Sequence, residues 1–356
     1  MQDSILVFVG TMTRESAPYF AGANGDGIVT FSLDCKAGTL DRRSTYTDIH
    51  SPSYLALGSD RQLYAVESTF DSPGRLCAFG IDDAGHLTLI DARATHGHAA
   101  CHVDVMPGGK AVYTASYLGT CVDAFPIGPN NLISEPRTLW YQGRGLNAAR
   151  QESAHAHQAM VDPSKTFLCV CDLGSDCVWI HDLVDAMPAP HPRRVEFPAG
   201  SGPRHLSFHP TLPMAYVLCE LSGAVFACSW GSDRGELRRM SEHSGLPGTW
   251  PGTPAASAIR AHPSGRTLYA GHRNHHSIAI FRLDTRGIPA VAEQIPSGGC
   301  EPRDFTFDPS GRWMIVANLD SHNLAILEID PETALPNGRA ARSVPIHSPA
   351  AVICAG

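Results

Sequence analysis

An apolar run set between turn residues recurs six times along this chain, at starts roughly fifty residues apart. The copies are SDRQLYAV from Ser59, PGGKAVYTA from Pro107, PSKTFLCV from Pro163, PTLPMAYVL from Pro210, PSGRTLYAG from Pro263 and PSGRWMIVA from Pro309. Around each copy apolar and polar positions alternate with a period of two, and β-branched and aromatic residues dominate, which is the pattern of strands rather than helices. SGPRHLSFHP reads as one strand, PMAYVLCEL as a second after a turn and GAVFACSW as a third. The same order returns in EPRDFTFDP, RWMIVANLD and NLAILEID, and in AASAIRAHP, RTLYAGHRN and SIAIFRLD. A weaker fourth strand follows, as in LTLIDARA from Leu87. A period of this length built from short strands marks a β-propeller or a solenoid, and four-stranded antiparallel units are propeller blades.

The two ends complete the count. ILVFVGTMT and GIVTFSLD supply second-type and third-type strands with no first strand before them, whereas the C-terminal SPAAVICAG reads as an innermost strand. Joining them in one blade makes seven and removes an open seam. The expected architecture is an all-β, seven-bladed β-propeller of four-stranded antiparallel blades, a single domain over residues 1–356, closed by pairing of the N- and C-terminal strands. A repeated two-sheet sandwich would show no fifty-residue recurrence. Three long non-repetitive stretches, 11–26, 128–153 and 243–256, are the expected rim or lid loops.

Composition agrees with this frame and narrows the partners. The 33 glycines and 27 prolines suit many tight turns, and no segment sustains a helical period. A formal charge of −8 without a basic run argues against a nucleic acid or an anionic membrane as partner, and no window approaches a spanning helix. Eleven cysteines, an odd number with no framework, read as small buried apolar residues, Cys169, Cys171 and Cys177 among them. The opening MQDSILVFVG has no basic segment of the kind that begins a signal peptide. A cytoplasmic protein is expected.

Candidate chemistry follows from the hairpin geometry. A residue just before the first strand of a blade lies beside one just after the second, so both face one end of the central channel. This pairs Tyr54 with Glu67, His102 with Tyr117, His157 with Asp172, Arg204 with Glu220, Arg260 with Arg273, and Arg303 with Asn318. Polar and charged residues recur there although such groups are costly to desolvate. Asp172, Asn318 and Glu67 suit turn or blade-tying roles. Arg204, in GPRH, presents a planar bidentate donor for a carboxylate or phosphate, and Arg273, Arg260 and Arg303 add to it. An anionic small molecule would account for that excess, while His157 and Glu220 supply groups that move protons. The pairs His96/His98 and His155/His157 lack a third ligand at a telling spacing, and no GxSxG, glycine-rich nucleotide fingerprint or CxxC occurs. No metal or other cofactor is expected.

The strings SPSYLAL, HAHQAMVDPSKTFLCVCDLGSD, GSGPRHLSFHP with YVLCELSG, AIRAHPSGRTLYAGHRNHHSIAIF and EPRDFTFDPSGRWMIVANLDSHN resemble the lactonase family of seven-bladed propellers. That family includes the propeller-type bacterial 6-phosphogluconolactonase and the fungal carboxy-cis,cis-muconate cyclase. The resemblance covers nearly the whole chain. It implies catalytic roles for His157, Glu220, Arg204 and Arg273. With the ring above, it leaves His102, His205, Arg260, Arg303, Tyr117 and Glu67 as candidate substrate-binding residues. AASAIR and the His272 of AGHRN depart from the family pattern and bear on substrate rather than fold. The expected function is metal-independent hydrolysis of a sugar-acid lactone such as 6-phosphogluconolactone. The rivals are lactonisation of a muconate-type dicarboxylate on the same arginines and a propeller scaffold that binds protein without catalysis.

Overall fold

The structure is a computed structural model that describes residues 3–16, 19–58, 61–339 and 341–355. Ser59 and Asp60, which open the first repeat copy, lie outside these residues, as do the extreme ends of the expected 1–356 span. The described chain forms seven antiparallel sheets of four strands, two of which carry an additional two-residue strand at Met187–Pro188 and Leu335–Pro336. The innermost strands, from Pro52–Leu57 around to Pro349–Cys354, contact one another in sequence and close a ring. We number the blades from the closing one. Blade 1 comprises Pro349–Cys354, Ser4–Thr11, Ile28–Asp34 and Thr39–Tyr46. Blades 2 to 7 follow over residues 52–94, 100–140, 156–196, 203–244, 256–296 and 302–345.

Closure is as the termini predict: Val7 pairs with Cys354, Phe8 with Ile353 and Val9 with Val352. The weak fourth strand read at Leu87 is Leu87–Ala94, paired with Arg75–Ile81. The apolar side chains do not make one central core. They form seven clusters each shared by two neighbouring blades, and an eighth, smaller one of Met12, Ala23, Leu319 and Ala350 against Phe20 and Phe70. Both faces of a blade are therefore apolar, because each sheet is packed on both sides, and the inner strands read as near-continuous hydrophobic runs. Cys169 and Cys171 are buried thiols at the seam of blades 4 and 5, Cys177 is buried in blade 4, and all eleven cysteines are free.

The repeated motif has a mechanical reason. The tyrosine of its LYAG-type segment reaches across the seam to a carbonyl between the third and fourth strands of the next blade. Tyr113 Oη donates to Ala186 at 2.6 Å, Tyr216 to Gly287 at 2.8 Å and Tyr269 to Ala334 at 2.6 Å. The turn before it adds a second tie. His209 accepts the N–H of Thr211 and Leu212 on Nδ1 and donates from Nε2 to the Gly265 carbonyl of the next blade at 2.9 Å. Gly265 has φ of 71°, and a Cβ there would lie 2.7 Å from the His209 ring, so the turn requires glycine.

Two substitutions test these ties by urea unfolding. Tyr216→Phe leaves a buried carbonyl unpaired and should lose about 1–2 kcal/mol. Gly265→Ala should lose at least about 1–2 kcal/mol from the left-handed backbone alone. Wild-type midpoints for both would show that the seams are held by apolar packing without these bonds.

Candidate active site

The channel end at which each first strand begins owes its lining to a bulge. In every blade the first strand slips by a residue against the second near its start. The slip falls at Ser53, Cys101, His157, Arg204, Arg303 and Ala350, and across Ser257–Ala258 in blade 6. A bulged residue leaves the alternation of the strand, so its side chain can be re-aimed. Six of these seven positions, Ser257–Ala258 excepted, line one cavity of about 260 Å³ at the mouth of the channel. The residue leaving each second strand forms a second ring, from which Ser68, Tyr117, Glu220 and Arg273 line the same cavity. Loops add Phe20, Phe70 and Arg150.

The bulge corrects the register expected from simple hairpin pairing. Arg204 with Glu220, His157, Tyr117, Arg273 and Arg303 fall in the two rings. Glu67, Asp172 and Asn318 sit one residue too early, and Tyr54 and His102 one too late, although Tyr54 still lines the cavity. Glu67 pairs with Pro52, and its carboxylate takes Arg75 Nε at 2.6 Å, Arg75 Nη2 at 2.8 Å and the His50 N–H at 3.1 Å. It ties its own blade and does not line the cavity. Asp172 likewise accepts the N–H groups of His155 and Ser175 and the Trp179 indole, the tying role its sequence suggests. Arg260 lies deeper in the channel, 3.0 Å from Asp304 and bonded to the Phe305 carbonyl. His102 stands behind the cavity, its ring 4.3 Å from Tyr54 and 5.6 Å from His205. His205 lines the cavity beside Arg204, whose Nη1 lies 3.3 Å from its Nε2.

Of the three long stretches, 128–153 is divided by the strand Arg137–Trp140, and only its second part reaches the site. That part carries Arg150, which the repeat logic misses because it belongs to no blade strand. Its one signal in the sequence is an arginine within a long non-repetitive stretch just ahead of the HAHQ string. Phe20 and Phe70 were missed for the same reason, both standing on connections between second and third strands. The stretch 243–256 contributes nothing to the lining.

Glu220 is the centre of the site. Its side chain is 2% exposed; Oε1 receives Arg150 Nη2 at 2.6 Å and Arg273 Nη2 at 2.9 Å, and Oε2 lies 2.9 Å from Arg204 Nε. The Arg204 N–H is not aimed along that line, so the contact is Coulombic and the buried donor remains free. Burial alone would raise the Glu220 pKa, but Arg273, Arg204 and Arg150 together hold it well below the usual carboxylate range. Arg273 Nε is also buried without a partner among the described residues. Arg303 has no hydrogen bond or ion pair there either, only the Phe20 ring 4.6 Å from its guanidinium carbon. Burial and its neighbours Arg273 and Arg204 push it down to about 10. Burial and Arg204 hold His157 neutral, well below the ordinary imidazole value. Its Nδ1 lies 3.7 Å from Cys101 Sγ, and its Nε2 has no hydrogen bond among the described residues.

A closed seven-bladed ring whose axial mouth gathers four guanidiniums around a neutral imidazole and a buried carboxylate is a propeller with a candidate active site on its axis. The chain belongs to the family described as lactonase, 7-bladed beta-propeller, whose model matches residues 6–354. It is similar to a 6-phosphogluconolactonase of Bacillus subtilis, 32% identical over 330 residues that span 92% of this chain and 91% of that one. A 6-phosphogluconolactonase of Formosa agariphila is 30% identical over 338 residues, 92% of this chain and 93% of its own. Among solved structures, the periplasmic gluconolactonase of Pseudomonas aeruginosa superposes with a TM-score of 0.89 at 25% identity, covering 99% of both chains. No helix among the described residues is long and apolar enough to cross a membrane.

The buried imidazoles make stability depend on pH. His102 is lowered to about 3 by burial and then by Arg260 and Arg204, and His157 and His205 lie well below their ordinary values. Below the unfolded value of ~6.5, the unfolded chain binds protons that the folded chain refuses, so folding stability falls with pH from there toward about 3. The depressed carboxylate of Glu220 contributes only below ~4.3, where its unfolded form begins to protonate. Between pH 6.5 and 4.5 the histidines are opposed by Asp104, which burial raises to about 6, so urea midpoints in that range are compared between wild type and a variant that keeps Asp104. His102→Gln should flatten that slope by up to ~1.4 kcal/mol per pH unit; an unchanged slope would mean that His102 titrates normally in the folded protein.

Proposed function

We propose that the protein hydrolyses the lactone of an anionic sugar acid, with 6-phosphogluconolactone as the leading substrate, at the cavity around Glu220. The observation that carries this is the set of guanidinium donors left unengaged beside the cavity: Arg303 and the Nε groups of Arg204 and Arg273, among the described residues. Buried donors are rarely left unpaired, and an arriving anion would satisfy them. The volume lies just below the roughly 300–1,000 Å³ usual for small-molecule sites, which suits a compact metabolite. The names of the relatives favour lactone hydrolysis over lactonisation of a dicarboxylate and over a non-catalytic scaffold.

In this reading Arg303 takes the phosphate, and Arg204 and Arg273 face the lactone carbonyl. His157 Nε2 removes a proton from a water as the water oxygen attacks the carbonyl carbon. The carbonyl oxygen becomes an oxyanion stabilised by guanidinium N–H groups held in place beforehand. When the ring C–O bond breaks, His157 returns its proton to the ring oxygen, and the new carboxylic acid loses one proton to water. Glu220 is too strongly acidic among three arginines to act as the base; it aligns them instead. A substrate anion offsets the positive field that depresses His157 and so raises its basicity when it is needed. No metal takes part, because guanidiniums already occupy the carboxylate that would ligate one. Eleven free thiols fit a reducing, cytoplasmic setting.

Proton release during hydrolysis of 6-phosphogluconolactone, measured above the spontaneous rate, tests the scheme. Wild-type turnover should survive dialysis against EDTA and exceed that on gluconolactone. His157→Asn should lose about 10²–10⁴ in rate, and Arg303→Ala should erase the preference for the phosphorylated lactone. Folded His157→Asn and Arg204→Ala proteins with wild-type rates would overturn the proposal.

A further inference from the structure

The three guanidiniums on Glu220 are not held alike. Arg204 and Arg273 stand on blade positions and are 4% and 15% exposed, whereas Arg150 rides on the loop 141–155 and is 41% exposed. Its Nη2 meets the oxygen of Glu220 that Arg273 also reaches. Its Nε and Nη2 each lie 3.3 Å from Tyr117 Oη, at the long end of hydrogen bonding. The backbone behind it is fastened. Gln151 is fully buried, donates to the Leu173 carbonyl at 2.9 Å and accepts the Asn147 N–H at 3.1 Å. The N–H groups of Arg150 and Gln151 both reach the Asn147 carbonyl. The loop thus carries a fixed base and one long, half-wet arm that ends in the cavity.

We propose that Arg150 is a substrate-binding residue whose guanidinium leaves Glu220 and closes over the incoming phosphate or carboxylate at the cavity mouth. This rests on the lactonase reading of that cavity. Departure leaves no buried charge uncompensated, since Arg204 and Arg273 remain on Glu220. Arg150 gives up a shared carboxylate oxygen and gains an anion that it can grip with two parallel N–H groups. Arg204 and Arg273 are set in the ring and have no comparable freedom, so the single loop-borne arginine is the one able to follow a ligand in and release it.

Steady-state kinetics on 6-phosphogluconolactone and calorimetric binding of 6-phosphogluconate, each on wild type, Arg150→Ala and Arg150→Lys, test the assignment. Loss of one charge-assisted contact should raise KM and weaken 6-phosphogluconate binding by about 10- to 100-fold, with kcat falling by less than about threefold. Arg150→Lys should recover part of the loss, and added salt should weaken Arg150→Ala less than wild type. A fall in kcat at unchanged KM would make Arg150 a structural clamp on Glu220, and wild-type KM and affinity would leave it no role; either result overturns the proposal. A wild type that neither binds 6-phosphogluconate nor hydrolyses its lactone defeats the reading of the cavity and this assignment with it. That outcome differs from an active wild type with a silent Arg150→Ala.

Discussion

Pairing of Pro349–Cys354 with Ser4–Thr11 is the contact on which the rest of the molecule depends. Each blade buries its two faces against its neighbours, so a break between any two blades would expose two apolar sheet faces at once. Because the innermost strand of the closing blade comes from one end of the chain and its three partners from the other, that seam is also sealed by backbone hydrogen bonds. Closure is what brings residues from distant parts of the chain, His157 and Arg303 among them, to a common mouth. The tyrosine and histidine ties add hydrogen bonds at the seams of blades 3 with 4, 5 with 6 and 6 with 7.

Within that ring, the bulge near the start of the inner strands decides which side chains reach the cavity. One residue of slip reverses the face on which every following side chain lies. Arg204 and His205 illustrate the effect. Arg204 is the bulged residue and meets Glu220, while His205, next along, points toward His102 and Tyr54 deeper in the channel. Tyr54, His205 and Asp304 thus share the cavity with the ionic cluster, and Arg260 stands behind them on Asp304.

The electrostatics of the mouth oppose those of the whole chain. A protein with a formal charge of −8 concentrates guanidiniums around one buried carboxylate. Removing water makes each cation expensive, and Glu220 offsets only part of that cost. The remainder appears as lowered pKa values for Arg204, Arg303 and the nearby imidazoles. The positive charge of the mouth is therefore incompletely compensated, and its two least mobile guanidiniums, Arg204 and Arg273, are set on the ring itself.

The fold was legible because closure and blade packing are repeated physics. The same apolar runs and turns solve the same packing problem blade after blade, with a tyrosine tie at three of the seams, and the ends betray themselves by what they lack. The four residues His157, Arg204, Glu220 and Arg273 were legible for a related reason, since motifs at equivalent blade positions converge wherever the ring closes. What the tertiary structure alone decided is finer. It placed Glu67 on Arg75, sank Arg260 below the site and brought Arg150 into it. The bulge is a one-residue displacement that leaves no mark in hydrophobic alternation, and a loop's side chain goes where its anchors put it. Neither is encoded by periodicity; both depend on contacts between segments far apart in the chain.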